Sequence, residues 1–172
     1  MSHLEVQPFQ ETLYASMCGP ASLKIVLSYF DIEKAESEIA KVCDVDPDLG
    51  VDDDTLARTA KHFGLKSEIK NEASFTDIEM WLEKGIPPIV NWFTRGGNDY
   101  KDGDVADGHY SVVCGLDDKY IYLQDPEIGS IRRIEKSDFE SVWFDFRGAT
   151  VKPDELIIRQ IIAIYPSDFV KV

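Results

Sequence analysis

Three residues whose side chains could together form a nucleophilic hydrolase site stand far apart in the sequence: Cys18, His109 and Asp125. Cys18 stands where a buried helix is predicted to begin, and the partial positive charge of a helix N-terminus favours a thiolate over a thiol. The thiolate is the form of cysteine that attacks carbonyl carbon atoms. Most buried cysteines are inert, so Cys18 by itself does not predict an activity.

A nucleophilic cysteine needs a base, and His109 is the candidate. It begins a predicted strand directly after the glycine- and aspartate-rich segment 95–108, which predicts a position at a rim rather than in the core. His62 reads as an ordinary residue at a helix end, and His3 lies in a terminus that we expect to fray. Taken alone, His109 is also compatible with a surface or capping histidine.

Asp125 is the candidate for orienting the imidazole, because a predicted hairpin returns the chain towards His109. The runs 109–116 and 119–125 are rich in β-forming residues and meet at Asp117-Asp118. Side chains alternate between the two faces of a sheet, so a two-residue loop would put His109 and Asp125 on opposite faces. A three-residue loop or one β-bulge puts them on the same face, and we predict one of these.

Gln10 lies eight residues before Cys18, in the segment that enters the helix. Its side-chain amide could donate to a developing oxyanion together with the backbone N–H of Cys18. A glutamine in an N-terminal loop is a weak indication when taken alone.

The elements that must position these residues are predicted from apolar periodicity and turn signals. Asp31 is predicted to cap the second helix, and Ser74 with Asp77 resembles a capping box at the fourth. The predicted helices span 19–30, 32–43, about 53–63 and about 75–84, and a short one follows Ser137; the predicted strands span 86–93, 109–116, 119–125, 130–135 and 157–165.

Helices followed by antiparallel strands are typical of an α+β architecture. The length of 172 residues predicts one domain over 1–172, with a helical half at about 1–85 and a β-sheet half at about 86–172. No apolar run reaches the ~20 residues of a membrane span, and the N-terminus does not resemble a secretory signal. We therefore expect a soluble, cytoplasmic protein that does not bind membranes.

Charge and cysteine content exclude several classes of function. The formal net charge is −14, and the sequence shows no cluster of basic residues that could bind phosphate groups, so nucleic-acid binding is not expected. A neutral or basic partner is easier to accommodate. Of the three cysteines, Cys43 and Cys114 are expected to be buried and inert. The sequence contains no CxxC pair, so it gives no indication of a structural zinc site. We predict no metal and no cofactor, and the oligomeric state stays open.

Two acidic segments invite a cation-binding interpretation. In the segment 44–54 the spacing of the first aspartates fits a calcium loop, but Leu49 and Thr55 stand where glycine and glutamate are required. A solvated acidic cluster at a helix start is the better interpretation. In the segment 95–108, Asp102, Asp104 and Asp107 are interpreted as a polar loop, with the hypothesis of a negative rim that prefers basic substrate residues.

The motifs taken together resemble a known family. The order of these motifs resembles that of papain-fold cysteine peptidases of the bacteriocin-leader (double-glycine) peptidase-like family. The motifs are Gln10 upstream, Cys18-Gly19-Pro20-Ala21 at a helix start, Gly108-His109-Tyr110 on a later strand and Asp125-Pro126 after the return strand. The resemblance covers roughly residues 7–165. Leader-processing members commonly carry an acidic residue directly before the cysteine, where this chain has Met17, so stand-alone members are the better comparison.

This resemblance implies a papain-like fold in which an N-terminal helical subdomain carries the cysteine and a C-terminal antiparallel sheet carries the histidine and aspartate. It implies that Cys18 is the nucleophile, His109 the general base and acid, Asp125 its orienting group and Gln10 the oxyanion donor. The implied activity is hydrolysis of a peptide or amide through a thioester acyl-enzyme. The alternatives are an acyl or γ-glutamyl transferase with the same residues, and a catalytically silent peptide-binding module of the same fold.

Overall fold

The computed structural model describes residues 2–13, 16–94, 107–146 and 152–169. In these ranges the chain forms five α-helices, nine β-strands and one 3-10 turn at Pro153–Glu155. The helices are α1 (Cys18–Tyr29), α2 (Glu36–Cys43), α3 (Asp53–His62), α4 (Phe75–Glu83) and α5 (Lys136–Val142). The strands are β1 (Ser2–His3), β2 (Leu65–Lys70), β3 (Ile89–Thr94), β4 (Asp107–Leu116), β5 (Tyr120–Asp125), β6 (Ser130–Glu135), β7 (Phe144–Phe146), β8 (Leu156–Ile158) and β9 (Gln160–Pro166).

One antiparallel sheet of seven strands organises the molecule. Its order is β2-β9-β3-β4-β5-β6, and β1 pairs with the far end of β4. Strands β7 and β8 form a separate two-stranded sheet. The central strand β4 carries His109, directly opposite Trp92 of β3, and its other neighbour β5 ends at Asp125.

Each face of the sheet is covered by helices, which gives two apolar clusters. On one face α1, α2 and α3 pack against alternate residues of the central strands, including Ile89, Val112 and Ile162. On the other face α4 and α5 cover the intervening residues of the same strands, such as Val90 and Val113. The alternation follows from the two-residue period of a β-strand, so each central strand is apolar on both sides.

Helix α1 begins at Cys18 and is buried on nearly all sides. Met17 is its N-cap residue and is fully buried, and the helix interior contributes Leu23, Ile25, Val26 and Leu27 to the core. The prediction that Cys18 stands next to the N-cap is confirmed. Burial of this helix fixes its N-terminus, so the position of the Cys18 side chain is set by core packing rather than by a loop.

A β-bulge in β4 sets the relation between His109 and Asp125. Near the hairpin tip Leu116 pairs with Ile121, a register that would place positions 109 and 125 on opposite faces. The register shifts between Val113 and Gly115, so that beyond the bulge Val112 pairs with Gln124. Positions 109 and 125 then share a face, as the prediction of one bulge required. The hairpin tip itself lies one residue later than predicted, because the backbone N–H of Asp117 bonds to the carbonyl of Tyr120.

The predicted capping box was confirmed at α4, and a second local cap, which was not predicted, occurs at α3. Ser74 and Asp77 form the predicted reciprocal capping box at α4, and Gly85 follows with a φ of 75°. Helix α3 spans nearly the predicted range, and its N-cap is Asp52, whose side chain accepts from the N–H of Thr55. Both signals depend only on neighbours in sequence, which explains why they can be read without the fold.

Three predicted boundaries differ from those in the structure. Helix α2 begins at Glu36 and not at Ile32, because Asp31 has a φ of 59° and terminates α1 instead of capping α2. Positions 107–108, predicted as loop, belong to β4. The predicted strand 157–165 is broken at Arg159, whose φ of 46° separates β8 from β9.

Three strands, β1, β2 and β7, were missed because they are short or their patterns are weak. Strand β2 has the sequence LKSEIK, is largely exposed and lies at the edge of the sheet beside β9, so it shows little apolar alternation. The two-residue strand β1 places His3 opposite Gly115, where we had expected a frayed terminus. Most of the segment 95–108 lies outside the described residues, as do Asp102 and Asp104. Among the helices that the structure describes, none is long and apolar enough to cross a membrane.

Candidate active site

His109 and Asp125 form a buried hydrogen-bonded pair. The Nε2–H of His109 donates to Oδ1 of Asp125 over 2.6 Å, and the two residues are 6% and 0% exposed. Burial opposes the charged forms of both groups, but the mutual hydrogen bond and opposite charges outweigh it. The pKa of His109 is therefore held well above 6.5, with Cys18 also contributing, and the pKa of Asp125 is held below 3.8.

Arg132 is a second partner of Asp125 that the sequence analysis did not identify. Its Nε–H donates to Oδ2 of Asp125 over 2.6 Å, and the residue is 5% exposed. The guanidinium also lies 5.8 Å from the centre of the Trp92 ring, which in turn meets the His109 ring edge-on. Asp125 is thus held between two cationic partners on the same side of the sheet.

Cys18 completes the group from the N-terminus of α1. The residue is partly buried, and a hydrogen bond and charge interaction with Cys18 contribute to the raised pKa of His109. Since Nε2 of His109 is occupied by Asp125, the nitrogen available to Cys18 is Nδ1. Three residues separated by up to 107 positions therefore form one connected chain of side chains.

Gln10 lies beside the same group, with its amide bound to a neighbouring loop. Its Nε2–H donates to the carbonyl oxygen of Glu127 over 3.0 Å. The N–H of Glu127 in turn donates to Oδ1 of Asp125 over 3.0 Å. An amide nitrogen has two N–H bonds, so one donor of Gln10 remains besides the bond to Glu127.

Glu11 is a further acidic residue at this site. Its backbone N–H donates to the carbonyl of Pro126, directly after Asp125, and its Oε2 is buried with no hydrogen-bond partner among the described residues. Burial raises the pKa of Glu11 to about 7. The charges acting on its carboxyl group are those of His109, which favours ionisation, and of Glu127, Asp125 and Glu36, which oppose it.

We expect Glu11 to make stability fall as the pH rises. In the unfolded chain the carboxyl ionises near 4.5 and in the folded protein near 7, so between these values only the folded state keeps the proton. For a fully buried group this pKa difference would change the free energy of unfolding by on the order of 3 kcal/mol. Because Glu11 is partly exposed, we expect a change of about 1–2 kcal/mol. Urea unfolding at pH 5 and pH 8 should show a loss in the wild type that is smaller in Glu11→Gln. The part that remains is due to His109, whose raised pKa also makes the folded state keep a proton above pH 6.5.

The matched control is Glu79→Gln, which neutralises an exposed glutamate of α4. It should keep the pH dependence of the wild type. Parallel pH dependence in the wild type and Glu11→Gln would show that Glu11 ionises normally.

One set of potential metal ligands lies within this site. Ligand atoms of His109, Asp125 and Glu127 lie within 4.8 Å of one another, and the described residues contain no other such group of three. However, the His109–Asp125 hydrogen bond and the Arg132 guanidinium already occupy these atoms. A metal ion here would have to break both contacts, so the donor set fits an internal ion-pair network better than a metal centre.

The remaining cysteines lie in apolar surroundings. Cys43 and Cys114 are buried, and burial raises the pKa of each thiol, to about 11 for Cys114. Trp81, Trp92 and Trp143 are buried as well.

Three residues of the site were missed in the sequence: Glu11, Trp92 and Arg132. The burial of Arg132 could have been inferred from one sequence feature. It lies in the predicted strand SIRRIE, and because side chains alternate between the two faces of a sheet, one of two adjacent arginines must face the core side. Glu11 carried no signal beyond its place next to Gln10.

The fold is that of solved peptidase domains. A double-glycine-motif protease from an AMS/PCAT transporter, solved in complex with the leader peptide, is 20% identical, and the match covers 96% of this chain and 95% of that one with a TM-score of 0.68. The peptidase domain of Streptococcus ComA is 18% identical over 95% and 100% of the chains, with a TM-score of 0.69. A putative C39-like peptidase from Bacillus anthracis is 17% identical over 99% and 100%, with a TM-score of 0.71. The expected α+β, papain-like fold is confirmed.

Sequence relatives extend the same relationship. The uncharacterized protein MTBMA_c00490 of Methanothermobacter marburgensis is 29% identical over 133 residues, which are 73% of this chain and 75% of that protein. The uncharacterized protein YvpB of Bacillus subtilis (strain 168) is 32% identical over 114 residues, 56% of this chain and 43% of that protein, so the match spans less than half of that relative. The sequence model of the Peptidase_C39-like family matches residues 3–151. The chain therefore belongs to the Peptidase_C39-like family.

Proposed function

We propose that the protein is a cysteine-dependent peptidase that cleaves a peptide or amide bond with Cys18, His109 and Asp125. The observation that carries this proposal is the continuous contact from Cys18 through the His109 ring to the buried Asp125 carboxylate. An imidazole with a raised pKa beside a cysteine stabilises the thiolate, and the thiolate stabilises the imidazolium. Family membership supports the same activity.

The reaction follows from this pairing. The Cys18 thiolate attacks the carbonyl carbon of the scissile bond, and the carbonyl oxygen becomes an oxyanion. The His109 imidazolium gives its proton to the leaving amine as the C–N bond breaks, which leaves a thioester on Cys18. A water molecule, deprotonated by His109, then attacks the thioester and releases the acid and the thiolate.

The oxyanion needs donors, and two are proposed. Cys18 is the first residue of α1, so its backbone N–H has no intrahelical acceptor, as expected at a helix start. The second donor is the amide N–H of Gln10 that is not bound to Glu127. Such donors contribute about 10²–10³-fold in rate when they are aligned with the developing charge.

Asp125 is proposed to orient His109. Its bond to Nε2 holds the ring so that Nδ1 faces Cys18, and Arg132 keeps the carboxylate ionised. We also infer that residues 1–172 act as one domain, because the first and last described strands, β1 and β9, both join the seven-stranded sheet. Peptides are the proposed substrates; the double-glycine protease in the comparison was solved with a leader peptide.

The proposal is tested by incubating a peptide mixture with the purified protein and identifying new termini by mass spectrometry. Wild type should generate new carboxyl termini, Cys18→Ala should generate none, and Cys114→Ser should match the wild type. Cys114→Ser is a suitable control because the Cys114 thiol donates to the carbonyl of Tyr122, a bond that a hydroxyl can also make. Repeating the digestion with a glutathione-like amine separates hydrolysis from transfer, since transfer yields amine adducts in place of free acids. Folded wild type that produces neither would support the silent binding module.

A further inference from the structure

The β5–β6 turn (residues 126–129) connects Asp125, at the end of β5, to the start of β6. Asp125 pairs with Ser130 across the two strands, so the chain reverses within the four residues between them. The N–H of Gly129 closes the turn by donating to the carbonyl of Asp125 over 2.9 Å. Because the sheet fixes both ends of the turn, its backbone groups hold defined positions.

Backbone groups of this turn contact two side chains of the candidate site. The N–H of Glu127 donates to Oδ1 of Asp125 over 3.0 Å, and the carbonyl of Glu127 accepts from Nε2 of Gln10 over 3.0 Å. The carbonyl of Pro126 accepts the backbone N–H of Glu11 over 2.8 Å. One turn thus holds both the proposed orienting group, Asp125, and the proposed oxyanion donor, Gln10.

The bond from Gln10 to the turn also restricts the second N–H of the same amide. A side-chain amide is planar, and its two N–H bonds leave one nitrogen atom in fixed directions. When the carbonyl of Glu127 accepts one of them, the direction of the other is fixed as well. Donors stabilise an oxyanion best when they are aligned before the reaction begins, so the contact with the turn bears on the rate.

Gly129 lies so close to Gln10 that a side chain at position 129 would not fit. A Cβ atom there would lie 2.7 Å from Cβ of Gln10, 3.3 Å from its Cγ and 3.4 Å from its Cα. Rotation of the Gln10 side chain does not move its Cβ or Cα, so it would not relieve this contact. Gly129 also has a φ of 63°, a left-handed conformation that glycine adopts without strain.

The segment that carries Gln10 is anchored on its other side. Thr12 donates its backbone N–H and its hydroxyl to the carboxylate of Glu36, over 3.1 Å and 2.5 Å. Glu36 is the first residue of α2 and is 6% exposed. Together with the backbone bond of Glu11 to the turn, this anchor leaves the segment little freedom to move away from position 129.

We propose that Gly129 is a positioning residue for the oxyanion donor. Its missing side chain admits Gln10 to the β5–β6 turn, where the carbonyl of Glu127 directs the second N–H of Gln10 towards the oxyanion formed at Cys18. The inference rests on the proposed peptidase function and deepens it, because it assigns the turn after Asp125 a part in transition-state stabilisation. Gly129 acts through Gln10 alone.

The test measures how Gly129→Ala cleaves a peptide that the wild type cleaves in the digestion described above. We expect kcat to fall by roughly ten- to a hundredfold, because a misdirected donor stabilises the transition state less. KM should change by less than about threefold, because the lost interaction is made only in the transition state. Alkylation of Cys18 by iodoacetamide at pH 5.5 should stay within about twofold of the wild type, because it depends on the thiolate and not on an oxyanion donor.

Gly64→Ala is the matched control for backbone strain. Gly64 follows α3 and also has a left-handed φ, of 85°, but a Cβ atom there would meet nothing within 4 Å. This variant introduces a comparable strain without touching Gln10, so its kcat should match that of the wild type. If Gly129→Ala does not fold, Gly129→Asn replaces it, because asparagine tolerates the left-handed conformation better than alanine and still carries a Cβ.

The double variant Gln10→Ala/Gly129→Ala distinguishes positioning from a general disturbance of the site. If Gly129 acts through Gln10, kcat of the double variant should equal that of Gln10→Ala within about twofold, because no amide remains to be misdirected. A general disturbance would multiply the two losses. Multiplied losses, or a fall in Cys18 alkylation as large as the fall in kcat, would overturn the positioning role.

A measurement that needs no activity separates this inference from the peptidase proposal. The side-chain amide of Gln10 gives a pair of signals in a nitrogen–proton correlation spectrum, and Gln10→Ala identifies them by their loss. The pair should shift in Gly129→Ala and stay in place in Gly64→Ala. Unchanged signals and unchanged kcat in Gly129→Ala would overturn the positioning role and leave the peptidase proposal standing. If folded wild type cleaves no peptide, the peptidase proposal fails, and the signals alone decide whether Gly129 positions this amide.

Discussion

Iodoacetamide at pH 5.5 is expected to alkylate Cys18 roughly ten- to a hundredfold faster than an ordinary exposed cysteine, because a thiolate stabilised by a neighbouring cation is more abundant but intrinsically less nucleophilic. An ordinary thiol, with a pKa near 8.5, is only about 0.1% thiolate at this pH. The imidazolium of His109 lies beside the Cys18 sulfur, and its pKa is raised because Asp125 and Cys18 together outweigh burial. A positive charge beside the sulfur favours the thiolate over the thiol, and the alkylation rate in acid measures this effect.

The direction of the pH dependence can be derived from the same contacts. Because the pKa of His109 lies well above 6.5, the ring stays charged through neutral pH and loses its proton only in more alkaline solution. Rapid alkylation should accordingly begin in acid and continue through neutral pH. His109→Ala should remove the reactivity at pH 5.5 and leave only the alkaline reaction.

Cys43 and Cys114 are internal controls in the same peptide digest. Burial raises the pKa of both thiols, so neither should react at pH 5.5. If Cys18 reacted only in alkaline solution, or if His109→Ala left its profile unchanged, the thiolate–imidazolium pair would not exist in the resting protein.

Replacing Arg132 with methionine is expected to destabilise the protein by roughly 3–5 kcal/mol. Breaking one side of a buried ion pair leaves the other charge without compensation. Asp125 is 0% exposed and, among the residues that the structure describes, would keep only His109 as a cationic partner. Urea unfolding at pH 7 measures this loss.

Arg133→Met is the matched control for this change. Arg133 is the next residue of β6, is exposed, and lies over the Tyr120 ring, so its loss should cost well under 1 kcal/mol. The double variant Arg132→Met/Asp125→Asn should be less destabilised than the sum of its single changes, because Asp125→Asn also removes the buried carboxylate that Arg132 compensates. Equal effects of Arg132→Met and Arg133→Met would contradict the role of Arg132.

A purely structural role of Arg132 would change stability alone. We expect Arg132→Met also to change the pH profile of Cys18 alkylation, because the charge on Asp125 helps to keep His109 protonated. With Arg132 removed, the desolvated Asp125 carboxylate becomes easier to protonate and supports the imidazolium less strongly. The rapid reaction should therefore weaken first at the acidic end of its range, in molecules that remain folded.

Local features of this protein follow directly from the order of residues. The capping box of Ser74 and Asp77 and the apolar periodicity of α1 involve residues within one or two turns, so their outcome does not depend on distant parts of the chain. The position of Cys18 at a helix start and of His109 at the beginning of a strand belongs to the same class. Side-chain alternation also predicted that the hairpin needs an irregularity to bring His109 and Asp125 to one face.

Where that irregularity occurs was decided by tertiary packing. The bulge lies between Val113 and Gly115, within a strand that packs on both faces, and no residue type in the run distinguishes it from a longer loop. The same holds for the start of α2 at Glu36, whose side chain is buried and accepts from Thr12, a residue 24 positions away.

The amino-acid sequence therefore determined which groups are able to react and which short segments carry them. Only the tertiary structure decided what surrounds those groups: Arg132 against Asp125, and the buried Oε2 atom of Glu11 near His109. The physical reason is that helix caps and strand alternation arise from neighbours in sequence. Burial and charge pairing at the site arise from residues that meet only in the folded chain, and a single sequence does not encode these contacts in any local pattern.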